Sequence, residues 1–374
     1  MLFADCLLRR WALLPACMCA LILGCSHKSP PADAALVQTE SSDDSESEGA
    51  DPCSLLEPKE VEAVLGAALG APPYRSDSGG QPHTDGEQCA YTTANFHTIV
   101  LEVTSEGGSQ AFSMVNFTKK LLNSNPDAST HEAIKQSFKL DDGTELAGEW
   151  DEATLTPMNC CIFNALRADQ MLSIDFTGTD ATLPQAATLI DAAFKRMDKP
   201  LKINGNAGVQ AAKDLDSHRP KPVDPCTLLP RDDVEKLIGK LTAEPVSDKT
   251  DGCTYQAGTI GNSPNEYELR VTWRGGYNKW RSDNHVGDIG AHTTAKMAED
   301  VAVKMGVPKG KTESGVNAMV GNQAAADNAA WDHAGVVGNH YMAVKKDVLV
   351  SVGLSPLVKS DAAKNLVAAV MQKI

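Results

Sequence analysis

The sequence predicts an α+β protein of two tandem repeats, each an antiparallel sheet with helices packed on one face and each with one disulfide. Three observations lead there. A set of motifs recurs in the same order along the 374 residues. Strands at hairpin spacing are interspersed with amphipathic helices. The cysteines of the repeated region are even in number, with one pair placed alike in each copy.

The repeat is clearest at its start. Residues 51–66 and 224–239 share eight of sixteen positions without a gap, beginning Asp-Pro-Cys-Ser-Leu-Leu and Asp-Pro-Cys-Thr-Leu-Leu. Cys89-Ala90-Tyr91 then pairs with Cys253-Thr254-Tyr255, and Trp150-Asp151 with Trp331-Asp332. The run Ala165 to Ser173 pairs with Ala343 to Ser351, and Ala186-Ala187 with Ala362-Ala363. The offsets are 173, 164, 181, 178 and 176, so the copies are colinear with short insertions. Repeat unit one is therefore 51–199 and unit two 223–374, with 200–222 reading as a linker from its Gly205-Asn206-Ala207-Gly208 and Arg219-Pro220-Lys221-Pro222.

Within unit one, Leu55, Leu56, Val61, Val64 and Leu65 recur at helical spacing and Gly66 stands where a C-terminal cap would. Cys89-x-Tyr91 starts a strand with both side chains on one face. Ile99 to Thr104 is the next strand and Gln110 to Leu122 the next helix. Three strands follow, Glu145 to Leu155, Cys161 to Arg167 and Gln170 to Thr177, the last two joined by a tight polar turn as a hairpin. Pro184 to Met197 is the closing helix. In unit two, Leu228, Leu229, Val234, Leu237, Ile238 and Gly239 repeat the first helix. Tyr267 to Trp273 is a strand, and a helix is expected over Thr293 to Met305.

The N-terminus reads as an export signal rather than as fold. Arg9 and Arg10 precede a thirteen-residue apolar run, Trp11 to Leu23, shorter than the about 20 residues a bilayer span needs. It ends in Ile22-Leu23-Gly24-Cys25, which resembles the lipobox of bacterial lipoproteins. The resemblance implies a signal peptide over 1–24, cleavage before Cys25, lipidation of its thiol, and a membrane anchor. Residues 25–50 include Ser41-Ser42-Asp43-Asp44-Ser45-Glu46-Ser47-Glu48-Gly49 without an apolar residue, and read as a disordered acidic tether. Ser26 fits outer-membrane sorting if the host is diderm.

Of ten cysteines, Cys6, Cys17 and Cys19 leave with the signal and Cys25 takes lipid. Among the other six, the repeat pairs Cys53 with Cys89 and Cys226 with Cys253, each closing a loop of roughly 30 residues that stabilises by about 3–4 kcal/mol. Cys160 and Cys161 have no counterpart; a vicinal disulfide, free thiols and metal binding stay open for them.

Asp-Pro-Cys-x-Leu-Leu, an amphipathic helix ending in Gly, and Cys-x-Tyr together resemble a group of uncharacterised lipoproteins of actinobacterial envelopes. Those are single domains behind a lipobox and a polar tether. The resemblance covers the first third of each unit, implies an α+β fold akin to the PsbP-like architecture, and supplies no catalytic residues. Two copies in one chain depart from that pattern.

Chemistry-bearing motifs are few. A net charge of −15 disfavours nucleic acid and anionic lipid surfaces. Gly-x-Ser-x-Gly and His-Glu-x-x-His are absent. Gly306 to Thr312 has three residues between its glycines where a phosphate loop has four, and reads as a turn. His285 and His292 are seven apart, as are His333 and His340, the latter in strand-like sequence and so expected on opposite sides. Asp141-Asp142 before Gly143 read as a hairpin turn. No catalytic residue, metal ligand or cofactor is assigned. Trp150, Asp151, Trp331 and Asp332, recurring at equivalent places, are the candidate binding residues; packing of the tryptophans into a core is the structural alternative. The expected function is a non-catalytic, lipid-anchored cell-envelope protein that binds a protein or envelope component through its duplicated domains. An extracytoplasmic hydrolase with a dispersed site and a small-ligand carrier are the alternatives. A deep polar cleft between the units favours a ligand, and a flat apolar patch a protein partner.

Overall fold

A computed structural model describes residues 51–123, 146–156, 161–260, 263–284, 331–353 and 360–374. The signal segment, Cys25, the tether, Cys160, Asp141-Asp142, His285, His292, the helix expected at 293–305 and the Gly306 turn lie outside the described residues.

Unit one opens as its motif requires. Asp51 accepts the Cys53 amide at 3.0 Å and caps a short 3₁₀ turn, Pro52–Ser54. Helix α1 (Pro58–Leu65) starts with proline at its first position and a capping box between Glu57 and Glu60, and ends at Gly66 with φ +66°. The single expected helix is therefore two short pieces, because Pro58 opens a new helix after Leu55 and Leu56 have turned into the core. Strands β1 (Tyr74–Ser76), β2 (Gln88–Thr92) and β3 (Thr98–Thr104) follow, then α2 (Gly108–Asn123), β4 (Glu152–Leu155), β5 (Ile162–Arg167), β6 (Gln170–Gly178) and α3 (Leu183–Arg196).

All neighbours in this sheet are antiparallel, in the order β1-β2-β3-β6-β5-β4. Alternation puts Cys89, Leu101, Phe163 and Ile174 on one face, against Leu55, Leu56 and the Ile190 and Phe194 of α3. Arg196 forks onto Glu60 at 2.7 and 2.6 Å and ties α3 to α1.

Unit two repeats the plan. A helical turn (Pro225–Leu228), α5 (Arg231–Ile238), β7 (Val246–Ser247), β8 (Gly252–Ile260), β9 (Ser263–Thr272), a helix at 276–284 (α6), β10 (His333–Val337), β11 (His340–Lys345), β12 (Val348–Gly353) and α7 (Ser360–Met371) follow in order. Its antiparallel sheet runs β7-β8-β9-β12-β11-β10, the same path strand for strand. Cys53–Cys89 and Cys226–Cys253 are disulfides at equivalent places. The register makes Leu101 equivalent to Leu269, Ile174 to Val352 and Phe163 to Tyr341.

The segment expected as a linker is helix α4 (Gly205–Ser217), between α3 and unit two. It packs Val209 and Ala212 on Tyr74 and Ala90, on the sheet face opposite the main core. The principal helices share one face, as expected, and α4 and α2 add a smaller layer on the other, α2 through Phe112 on Leu166 and Met171. The glycines that read as linker punctuation have a different cause: a Cβ on Gly208 would lie 2.3 Å from the Pro73 carbonyl oxygen. Glycine is there because the α4 backbone touches that of Pro72-Pro73, just before β1. Gly208→Ala is expected to lower stability by about 1–3 kcal/mol, the usual cost of overpacking, in urea unfolding; an unchanged midpoint would show that α4 shifts freely.

Candidate functional site

The second face of sheet one is unusual. Residues in register across β2, β3, β6 and β5 are Gln88, Glu102, Ser173 and Asn164, a polar rank running over four strands. The next rank is Ala90, Val100, Asp175 and Ile162. The equivalent rank of unit two is Gly252, Arg270, Ser351 and Met342. There Arg270 is charge-paired to Glu268 at 2.7 Å, and Met342 packs with Tyr277, Trp280, Val344 and Leu349 in a small apolar cluster beneath α6. Duplication has thus kept the backbone and changed what this face does.

Unit two does not seal the polar face of unit one. A cavity of about 360 Å³ lies between them, within the size range of small-molecule sites. One wall is Gln88, Glu102, Val100, Ser173 and Asp175; the opposite wall is Arg219, Arg274, Asn278 and Asp347. Gln88 donates to Glu102 at 2.8 Å. Asp175 accepts the Thr177 amide at 2.8 Å, and burial raises its carboxyl above the ordinary carboxylate range, with Arg281 opposing the shift.

The opposite wall is internally neutralised. Arg219 pairs with Asp216 at 2.7 Å and with Asp347, and its guanidinium lies 4.0 Å over the Phe96 ring. Arg274 pairs with Asp216. Asp347 is 4 % exposed, sits at φ +65° in the β11–β12 turn, and also accepts the Gly275 and Tyr277 amides at 2.9 and 3.1 Å at the start of α6. Unit one has the same cap in an open setting: Asp169 accepts from Gly107 and Ser109 at 3.1 and 3.0 Å.

Beside the cavity the units are latched. Asp180 of unit one meets Tyr277 and His333 of unit two, the imidazole at 3.2 Å, and Tyr277 lies 2.9 Å from the same imidazole nitrogen. His97 packs against the Tyr277 ring at 4.6 Å. Arg281 donates to the carbonyls of Phe176 and Ala181 at 3.3 and 2.7 Å. The imidazole holds the Asp180 carboxyl down at about 2, with Tyr277 adding to the effect. Asp180 in turn raises His333; Asp332 adds to this and Arg281 opposes it.

The signs give a pH window. The depressed Asp180 contributes stability above its unfolded value near 3.8, lost as pH falls towards 2. The raised His333 contributes below its unfolded value near 6.5, lost as pH rises through its folded value. The latch is strongest between about pH 4 and 6.5. The melting-temperature gap between wild type and His333→Gln is expected to be widest there and to shrink at higher pH; a constant gap from pH 5 to 9 would rule out a charged imidazole.

The chain matches no family model, no curated protein and no solved structure.

The residues singled out in the sequence fall elsewhere. Trp331 is buried in the second core, and Trp150 is half-buried with its ring edge-on to Phe163 at 5.7 Å. Asp151 and Asp332 accept the hairpin amides of Ala168 and Lys346 at 2.7 and 2.8 Å, an equivalent clamp in each copy. None of the four lines the cavity. His333 and His340 share a face rather than opposing each other, because a turn at Gly338-Asn339 folds the run into a hairpin in which Val337 faces His340. Among the described residues no cluster of three or more His, Cys, Asp or Glu side chains is placed to hold a metal. Cys161 is disulfide-bonded, so of the readings left open for it the free thiol and the metal ligand fall away. Glu102, Ser173 and Asp175 were missed; Glu102 and Asp175 differ from their counterparts Arg270 and Gly353, a readable signal, whereas Ser173 is matched by Ser351 and carries none.

Proposed function

We propose that this protein is a non-catalytic, lipid-anchored envelope protein that binds a small polar molecule in the cavity between its duplicated domains. The polar rank carries this reading. Polar side chains facing inwards between two packed domains cost free energy unless they meet partners. The equivalent rank of the second copy keeps Ser351 but has Gly252, Arg270 and Met342 in place of Gln88, Glu102 and Asn164, and α6 packs Met342 into an apolar cluster. The lipobox at Cys25, the acidic tether and the resemblance to envelope lipoproteins support extracytoplasmic display. So do the Cys53–Cys89 and Cys226–Cys253 disulfides, typical of an oxidising compartment. No helix among the described residues is long and apolar enough to cross a membrane.

The test is a thermal-shift screen of small amines, sugars and carboxylic acids against wild type and Ser173→Phe, which fills the cavity from its floor. At least one class is expected to stabilise wild type and not the variant. If no compound discriminates between the two folded proteins, the reading fails. Labelled palmitate incorporated into wild type but not Cys25→Ser checks the anchor.

A further inference from the structure

We propose that the molecule bound in this cavity carries an ammonium or guanidinium group that lodges between Glu102 and Asp175. This rests on the cavity being a ligand site and specifies its chemistry.

Charge on the two walls of the cavity is unevenly matched. Both arginines of the cavity are engaged, Arg219 by Asp216 and Asp347, and Arg274 by Asp216. Neither carboxylate on the facing wall has such a partner: among the described residues Glu102 and Asp175 form no salt bridge, and Glu102 accepts only from the neutral Gln88 amide. The lining therefore holds an excess of negative charge on the unit-one side. In unit two the position of Glu102 is Arg270, already paired with Glu268 at 2.7 Å and Asp251 at 3.7 Å. The excess belongs to one copy only.

The spacing suits a single cation. Glu102 is opposite Ser173, so Asp175 is its diagonal neighbour on the same face. Diagonal pairs in an antiparallel sheet stand about 7–8 Å apart, room for one ammonium to reach both carboxylates while Ser173 and Gln88 accept further N–H groups. An anion would meet both carboxylates with no uncommitted arginine among the described lining residues to offset them; Arg281, which acts on Asp175, lies outside the lining and is engaged by the Phe176 and Ala181 carbonyls. A neutral polyol would leave the charges unmatched.

Protonation adds a second signature. Burial raises Asp175, and the charged groups around it are Arg281, Glu102 and, across the cavity, Arg219, Arg274 and Asp347. A cation favours the ionised carboxylate. Affinity should therefore rise as pH climbs from below the ordinary carboxylate range through the raised value of Asp175, and then level off.

The test is titration calorimetry on the full chain with four probes: putrescine, arginine, glucose and succinate. Wild type is compared with Glu102→Gln, Asp175→Asn and Ser173→Phe, each checked for an unchanged far-ultraviolet spectrum. Putrescine or arginine is expected to bind one to one and to lose about 10- to 100-fold in affinity with Glu102→Gln, the range for a charge-assisted hydrogen bond. Ser173→Phe should abolish binding, and Asp175→Asn should remove the part of the rise that lies above the ordinary carboxylate range. Glucose or succinate binding that Ser173→Phe abolishes, with both amines silent, would overturn the cationic assignment and leave the cavity standing. Amine binding indifferent to Glu102→Gln and Ser173→Phe would place the amine elsewhere and overturn the proposal. Silence from all four probes would overturn the cavity reading and the assignment together.

Discussion

Asp347→Ala is expected to lower stability by about 3–5 kcal/mol, the cost of removing one partner from a buried ion pair. The carboxylate is 4 % exposed and serves three donors: the Gly275 amide, the Tyr277 amide and Arg219. Alanine would leave the start of α6 with unsatisfied N–H groups. It would also leave Arg219, whose side chain is 14 % exposed, with Asp216 alone. The repeat supplies an internal control. Asp169 caps α2 with the same geometry but is exposed, so water can replace it, and Asp169→Ala should cost distinctly less. Urea unfolding of the two variants side by side measures the difference. Equal losses would mean that burial and Arg219 add nothing to the cap.

Removal of the Cys53–Cys89 bridge as a double alanine variant should cost about 4 kcal/mol on chain-entropy grounds, since the bond spans 36 residues. Both sulfurs are fully buried beside Leu55 and Leu56, so their loss also opens the core at the entry to α1. The Cys226–Cys253 bridge spans 27 residues, for which the same estimate is about 3.5 kcal/mol, and Cys226 is only partly buried. Unit one should therefore suffer more. Guanidinium titrations of both double variants check this. A loss below about 1 kcal/mol in either would show that the unfolded chain is already constrained without the bond.

Particular residues show where sequence reasoning held and where it stopped. The pairing of Cys53 with Cys89 was legible because two copies shared one local grammar, and the α2 and α3 helices because their apolar spacing is local. Gly208 misled: glycine in a polar stretch between domains reads as punctuation, yet its reason is the Pro73 carbonyl contacting α4. His333 and His340 misled because strand alternation holds only until the chain turns. The recurrence of Trp150-Asp151 and Trp331-Asp332 marked shared construction, whereas the cavity arose where the copies diverged, at Glu102 against Arg270 and Gln88 against Gly252.

From its sequence alone this protein's duplication, its cystine pairing and its alternation of helices and hairpins were determined, because each is written in residues close together or repeated at a steady offset. The tertiary structure decided the polar rank, the cavity and the latch. Gln88 and Glu102 are 14 residues apart, and Asp180 and His333 are 153 apart. Such groups become neighbours only when strand register and domain docking are set, and those are set by burial of the whole core rather than by any local signal.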